Sequence, residues 1–189
     1  MSSYVTSKTV RLLLLSEMVW SFGIGLFFPI FAIFSERVGG QIIHAGIAAA
    51  IFIFVASLFE YPIRVYIGNF HEKWLIVASY LLEALIFVGY IFVSHINELF
   101  VLQVFLGIAS AIGKPAWKSL YRRSVPQHAS SEIWEMSHMV IGITKAASIL
   151  IGVYIITQHS FDVVFGLAAI LSFLAAIIAA IFIKNSPRR

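Results

Sequence analysis

Several polar and ionisable side chains interrupt otherwise apolar stretches, and their spacing decides what chemistry is open to them. Glu17 is followed by Trp20 and Ser21, so a carboxylate, an indole and a hydroxyl share one helical face. That face suits a polar or cationic group; alternatively, Glu17 pairs with Lys114 or another base and ties helices together. Gln103, Gly107, Ser110 and Lys114 recur at helical period. They form either a wall of a water-filled cavity or, through Gly107 and Ser110, a close helix contact. His138, Gly142, Lys145 and Gly152 share another face, on which Lys145 lies too deep to snorkel to water. Lys145 therefore needs an acidic partner, water or an anionic ligand. The cavity candidates are Glu17, Trp20, Ser21, Gln103, Ser110, Lys114 and Lys145. Glu83, whose nearby polar neighbour is Ser79, is either a coupling site or a structural, hydrogen-bonded carboxyl. His138 is either a coupling group or a hydrated histidine near a membrane surface. Glu60 and Arg64, spaced i, i+4, read as a local ion pair.

No pattern for covalent, metal or nucleotide chemistry competes with this reading. The chain lacks a G-x-x-x-x-G-K-[ST] phosphate loop, an H-E-x-x-H pair and a G-x-S-x-G elbow. Cysteine is absent, which removes disulfides and thiolate metal sites. An enzyme, a resident cofactor and a metal site are therefore not expected. Only 12% of the 189 residues are charged and 60% are hydrophobic. A soluble domain carries about 25% charged residues, so the expected solvent is lipid. The basic residues sit between apolar runs rather than on one water-facing patch, which argues against nucleic acid.

These side chains need long helices to hold them. A helix crosses a hydrocarbon core of about 30 Å with roughly 20 apolar residues, and six segments qualify: 10–34, 42–63, 74–93, 99–117, 134–157 and 161–183. The expected fold is all-α, a single polytopic six-helix bundle over residues 1–189 with no room for a soluble domain. The first run is too long for a cleavable signal. With the N-terminus inside, Lys8, Arg11, Arg64, Lys73, Lys118, Arg122, Arg123, Lys184, Arg188 and Arg189 are cytoplasmic and Arg37 alone is outside. The positive-inside rule then puts both termini in the cytoplasm. In the connection 118–133, Trp117, Leu120 and Tyr121 interleave with Lys118, Arg122 and Arg123, which predicts an interfacial helix. Ser131 is expected to cap the next helix, with Glu132 and Glu135 in its first turn.

Three stretches resemble one six-helix half of the major facilitator superfamily. They are Gly23-Ile24-Gly25-Leu26-Phe27-Phe28-Pro29 with the following Ser35-Glu36-Arg37-Val38-Gly39-Gly40; Phe59-Glu60-Tyr61-Pro62 leading to Glu72-Lys73; and Gln103-Val104-Phe105-Leu106-Gly107 with Gly113-Lys114-Pro115-Ala116-Trp117-Lys118. The departures matter too. In the loop after the second span, where the family has G-x-L-a-D-R-x-G-R-K, Arg64 replaces glycine and Gly68-Asn69 replace Asp-Arg, so the usual charge relay of that loop is not expected. Gln103 stands where some members carry a proton-coupling arginine, and the fifth span lacks the Gly-Pro pair of many drug antiporters.

The resemblance implies two inverted three-helix repeats. It also implies that spans 1 and 4 line a cavity, spans 2 and 5 contact a second bundle, and spans 3 and 6 face lipid. One half alone would expose polar groups to acyl chains, where nothing satisfies them. The expected assembly is therefore a homodimer in a plasma or inner membrane, a secondary transporter moving a small solute or ion by alternating access. Its rivals are an obligate heteromeric half-transporter, a non-transporting sensor or assembly module, and an excised half of a longer protein. The orientation has a direct test: a phosphatase fused after Lys184 should be inactive while a fluorescent protein at the same point fluoresces, and an active phosphatase would reverse the topology.

Overall fold

The computed structural model describes residues 8–66, 71–125 and 130–184, with no side-chain description for 8, 9, 66, 130 and 182–184. The loop positions Gly68 and Asn69, the terminal Arg188 and Arg189, and the side chains of Lys8 and Lys184 lie outside this description. The helices are α1 (Lys8–Phe27), α2 (Phe31–Arg37), α3 (Ile42–Tyr66), α4 (Glu72–Ile91), α5 (Ile96–Ser124), α6 (Ser130–Gln158) and α7 (Phe161–Lys184). Among the described residues six helical segments are long and apolar enough to cross a membrane: Val10–Arg37, Ile42–Val65, Glu72–Ile91, Ile96–Ser124, Ser131–Gln158 and Phe161–Ile181.

The first span is broken. Pro29 cannot donate to the helical ladder, and a 3-10 turn over Phe28–Ile30 separates α1 from α2. Gly39, at φ 86°, takes the left-handed conformation that ends α2. The fourth span differs from expectation. α5 does not stop near Trp117 but runs on to Ser124, so among the described residues Lys118–Ser124 continue the span instead of forming a separate interfacial helix. Trp117, Leu120 and Tyr121 fall on one helical face and are buried against Ile133 and Trp134, which gives that face a protein partner instead of the membrane surface. α6 likewise begins one residue before the expected cap at Ser131.

The extensive helix pairings are α4 with α7, α3 with α5, α1 with α7, α4 with α5, and α1 with α6. Together they describe an arc in the order α3, α5, α4, α7, α1, α6. Exchanging spans 1, 2 and 3 with 4, 5 and 6 maps this set of pairings onto itself, as two three-helix repeats require. Helices in lipid gain little from apolar burial against one another, so close packing of small residues holds them. α7 supplies Ala168, Ala169, Ala175, Ala176 and Ala179 to that contact. Gly152 of α6 abuts the backbone of Leu26, Gly25 of α1 abuts Ser148, and Gly107 of α5 abuts Phe52 and Val55 of α3.

Two apolar cores result. One gathers Leu13, Ile76, Trp117, Tyr121 and Ile133 near the end of the bundle that carries Lys118, Arg122 and Arg123. The other is aromatic, with Phe27 in contact with Phe87, Tyr90 and Phe165 at ring distances of 5.7, 5.0 and 5.6 Å. Behind them Leu81, Leu85 and Val88 of α4, and Ile170, Phe173, Leu174 and Ile177 of α7, form exposed apolar faces suited to lipid. Only 11% of the apolar window of α6 and 22% of that of α3 is buried, against 39–50% for the other spans, because these two helices end the arc.

The glycine contacts make a testable distinction within one helix. A Cβ at Gly152 would stand 2.8 Å from Leu26 Cα, whereas one at Gly142 meets nothing within 4 Å. Overpacking costs about 1–3 kcal/mol, so Gly152→Val should lower the thermal midpoint in detergent by roughly 3–8 °C while Gly142→Val leaves it unchanged. Equal midpoints for the two variants would contradict the α1–α6 contact.

Candidate functional site

Between the two cores, on the concave side of the arc, lies a cavity of about 360 Å³. α4 forms its floor through Ser79, Tyr80 and Glu83, α1 contributes Glu17 and Trp20, and α5 contributes Ser110, Gly113, Lys114, Trp117 and Lys118. Trp134, His138 and Ile141 of α6 and Glu60 of α3 complete the wall toward the basic end. α5 can come close to the floor because Gly113 faces Ser79 without a side chain in between.

α1 and α4 are joined across the cavity by a reciprocal exchange. The Tyr80 hydroxyl donates to the Glu17 carboxylate at 2.8 Å, and the Trp20 indole N–H donates to the Glu83 carboxylate. The acid and the donor are three residues apart on each helix, so one turn of α1 is set against one turn of α4. The Trp20 and Tyr80 rings stack at 6.0 Å between the two bonds. Each carboxyl thus has a neutral donor within the bundle and keeps further lone pairs for another partner.

The lysines are held differently. Lys114 Nζ lies 5.7 Å from the centre of the Phe52 ring, and Lys145 Nζ lies 5.5 Å from that of Phe28, positions in which the ring quadrupole attracts a cation. Both are within electrostatic reach of Glu17, and Lys114 also of Glu83. Neither forms a direct ion pair with them. Two ion pairs lie at the basic end: Glu60 with Lys118 at 3.7 Å, and Glu72 with Arg123 at 3.4 Å, where Ser119 also donates to Glu72.

Seven of the residues singled out from sequence come together at this cavity: Glu17, Trp20, Glu60, Glu83, Ser110, Lys114 and His138. Others lie elsewhere. Gln103 is buried and donates to the Tyr90 hydroxyl at 3.0 Å, Ser21 is buried away from the cavity lining, and Lys145 sits on the neighbouring stretch of α6 facing Phe28. The expected Glu60–Arg64 pair is corrected: Glu60 reaches across to Lys118 of α5, and Arg64 is exposed. The α3–α5 packing brings Lys118 within range, so a tertiary partner displaces the local one. Sequence reasoning did not single out Tyr80, Trp117 or Trp134 as site residues. For Tyr80 the signal was the Tyr80–Glu83 spacing, which repeats that of Glu17–Trp20.

The chain belongs to the Major Facilitator Superfamily, whose sequence pattern matches residues 13–189. It is a multi-pass membrane protein. It is 23% identical over 187 residues to an uncharacterized MFS-type transporter of Methanocaldococcus jannaschii, an alignment covering 96% of this chain and 48% of that protein. The chain therefore spans about half the length of that relative. The fold is also that of a POT family transporter, PepTSo, solved in meso: the TM-score is 0.74 at 15% identity, over 96% of this chain and 40% of that one.

The reciprocal bonds lead to a graded expectation. Glu83→Leu leaves the Trp20 indole without an acceptor and should destabilise the bundle by about 1–3 kcal/mol, whereas Glu83→Gln keeps an acceptor and should cost less. Thermal unfolding in detergent measures both, and identical midpoints would deny the bond its structural role.

Proposed function

We propose that this chain is one six-helix half of a secondary transporter, and that two copies face one another to enclose a central cavity through which a small solute moves by alternating access. One observation carries the reading: a cavity with three carboxyls and two lysines opens on the concave side of a bundle whose least buried helices, α3 and α6, end the arc. Charged groups facing hydrocarbon cost about 2.5–3.5 kcal/mol each on insertion scales, and a second bundle seated on α3 and α6 removes that exposure. Family membership and the half-length match to a transporter support the same reading.

In this arrangement α1 and α5 of each subunit line the cavity, α3 of one subunit meets α6 of the other, and α4 and α7 face lipid. The end of the cavity lined by Glu60, Lys118 and Trp134 is the basic end, which the positive-inside rule assigns to the cytoplasm. Glu17, Trp20, Ser110 and Lys114 contact the solute. Glu83 and His138, on opposite walls of the same cavity, are the candidates for coupling transport to an ion. Lys145, over the Phe28 ring, adds positive potential on the side of Glu17 away from the basic end.

Because the protein is free of cysteine, cross-linking can test the contact directly. Cysteines introduced at Ala50 or Phe54 on α3 and at Ala147 or Leu150 on α6 should give intersubunit disulfides when the two variants are mixed, whereas Ile170→Cys on α7 should not. Cross-linking through α7 alone would place the interface on the wrong face. In proteoliposome flux assays with a panel of labelled solutes, Glu17→Gln and Lys114→Met should abolish uptake of any solute the unmodified protein carries. Unchanged uptake in both variants would remove the cavity from the transport path.

A further inference from the structure

At the basic end of the bundle an exposed base and an exposed acid stand without ion partners. Arg64, in the last turn of α3, and Glu135, in the second turn of α6, make no ion pair with any described residue of their own chain. Glu60, the acid one turn from Arg64, is taken by Lys118. α3 and α6 are the two ends of the arc and share no extensive contact, so one bundle keeps these charges apart. Both nevertheless lie on its concave side. Arg64 is four residues from Glu60 and Glu135 is three residues from His138, and Glu60 and His138 line the cavity.

A second copy related by an axis along the membrane normal sets α3 of one bundle beside α6 of the other. The two helices are then antiparallel, because α3 ends and α6 begins at the basic end. Placing Arg64 opposite Glu135 fixes the register: Ile53 faces Ala146, Ala50 faces Ile149 and Gly46 faces Val153. On each helix these positions follow the charge at steps of 11, 3 and 4, in opposite chain directions, and so stay on one face. Every contact sets a larger side chain against a smaller one, which lets helices in lipid approach closely. A Cβ built at Gly46 meets nothing within 4 Å, so its own bundle does not require glycine there. Glycine weakens a helix relative to alanine, and a neighbouring helix passing close by supplies the reason for it. The competing acid is Glu132, which meets Arg64 only in a register that sets Ile53 against Ile143.

We infer that the faces of α3 and α6 bordering the cavity dock a second copy of this chain in a single register, in which Arg64 of each subunit pairs with Glu135 of the partner subunit. This rests on the dimeric reading above and adds to it the alignment of the helices and the charges that select it. Ion pairs at a hydrated rim add little raw affinity. Like charges brought together there are costly, so the pair serves to choose the partner and its alignment.

The test uses full chains carrying donor or acceptor dyes on a terminal tag, reconstituted in vesicles over a range of protein-to-lipid ratios, with energy transfer reporting association. Circular dichroism checks that each variant keeps its helical content. Arg64→Glu and Glu135→Arg should each weaken self-association about tenfold. An equimolar mixture of the two variants should associate as tightly as the unmodified chain, since a mixed dimer has one native pair and one reversed pair. Arg122→Glu, the same change of charge at another exposed arginine of this end, should leave association unchanged. Gly46→Leu, which has room within its own bundle, should weaken self-association and recover when mixed with Val153→Gly. Association of every charge variant at unmodified strength would overturn the register and leave the dimer standing. Rescue of Arg64→Glu by Glu132→Arg but not by Glu135→Arg would overturn it as well. Unmodified chains that fail to associate at any protein-to-lipid ratio would overturn the register and the dimeric reading together.

Discussion

Hydrocarbon offers no hydrogen bonds and solvates no charge, so every polar group carried into the membrane must find its partner in protein or in enclosed water. The exchange between α1 and α4 is the main answer this chain gives. Two carboxyls, Glu17 and Glu83, each accept from an aromatic donor on the other helix, and the same three-residue step on both sides sets the helices in register. α1 and α4 do not form an extensive backbone contact; α7 packs between them at the back of the arc. Side-chain bonds bridge the space that remains, and that space is the cavity.

Symmetry accounts for much of the rest. The pairing of α3 with α5 repeats that of α6 with α1, and the pairing of α4 with α5 repeats that of α7 with α1. Glycine serves both copies of the outer pairing, Gly107 against α3 and Gly152 against α1. The two cavity helices are nevertheless chemically different: α1 presents the Glu17 carboxyl and the Trp20 indole, and α5 presents Ser110, Lys114 and Lys118. An arc of equivalent folds with unlike polar faces gives a cavity with direction.

Much of the fold was legible in the sequence because span length and charge placement are properties of single segments. The six apolar runs and the clustering of cations at alternate loops needed no neighbour to be read, whereas the break at Pro29 lies inside what reads as one continuous run over 10–34. The site was harder, because helical period gives a face but not the element that covers it. Gln103 and Lys114 share a face in projection, yet about three turns of helix separate them, and Gln103 ends on Tyr90. Glu60 had a suitable base one turn away in Arg64 and took Lys118 instead, a choice made by the α3–α5 packing. The stretch beyond Trp117 looked interfacial because its aromatic face was visible and its partner, α6, was not.

The central claim is that this concave, charged face is closed by a second six-helix bundle. Native mass spectrometry of the protein released from lipid nanodiscs tests it most directly. A homogeneous species of twice the chain mass, with lipid at most loosely attached, is the predicted result. A stable single-chain species as the sole form would contradict it, and the cavity would then have to be explained within one bundle.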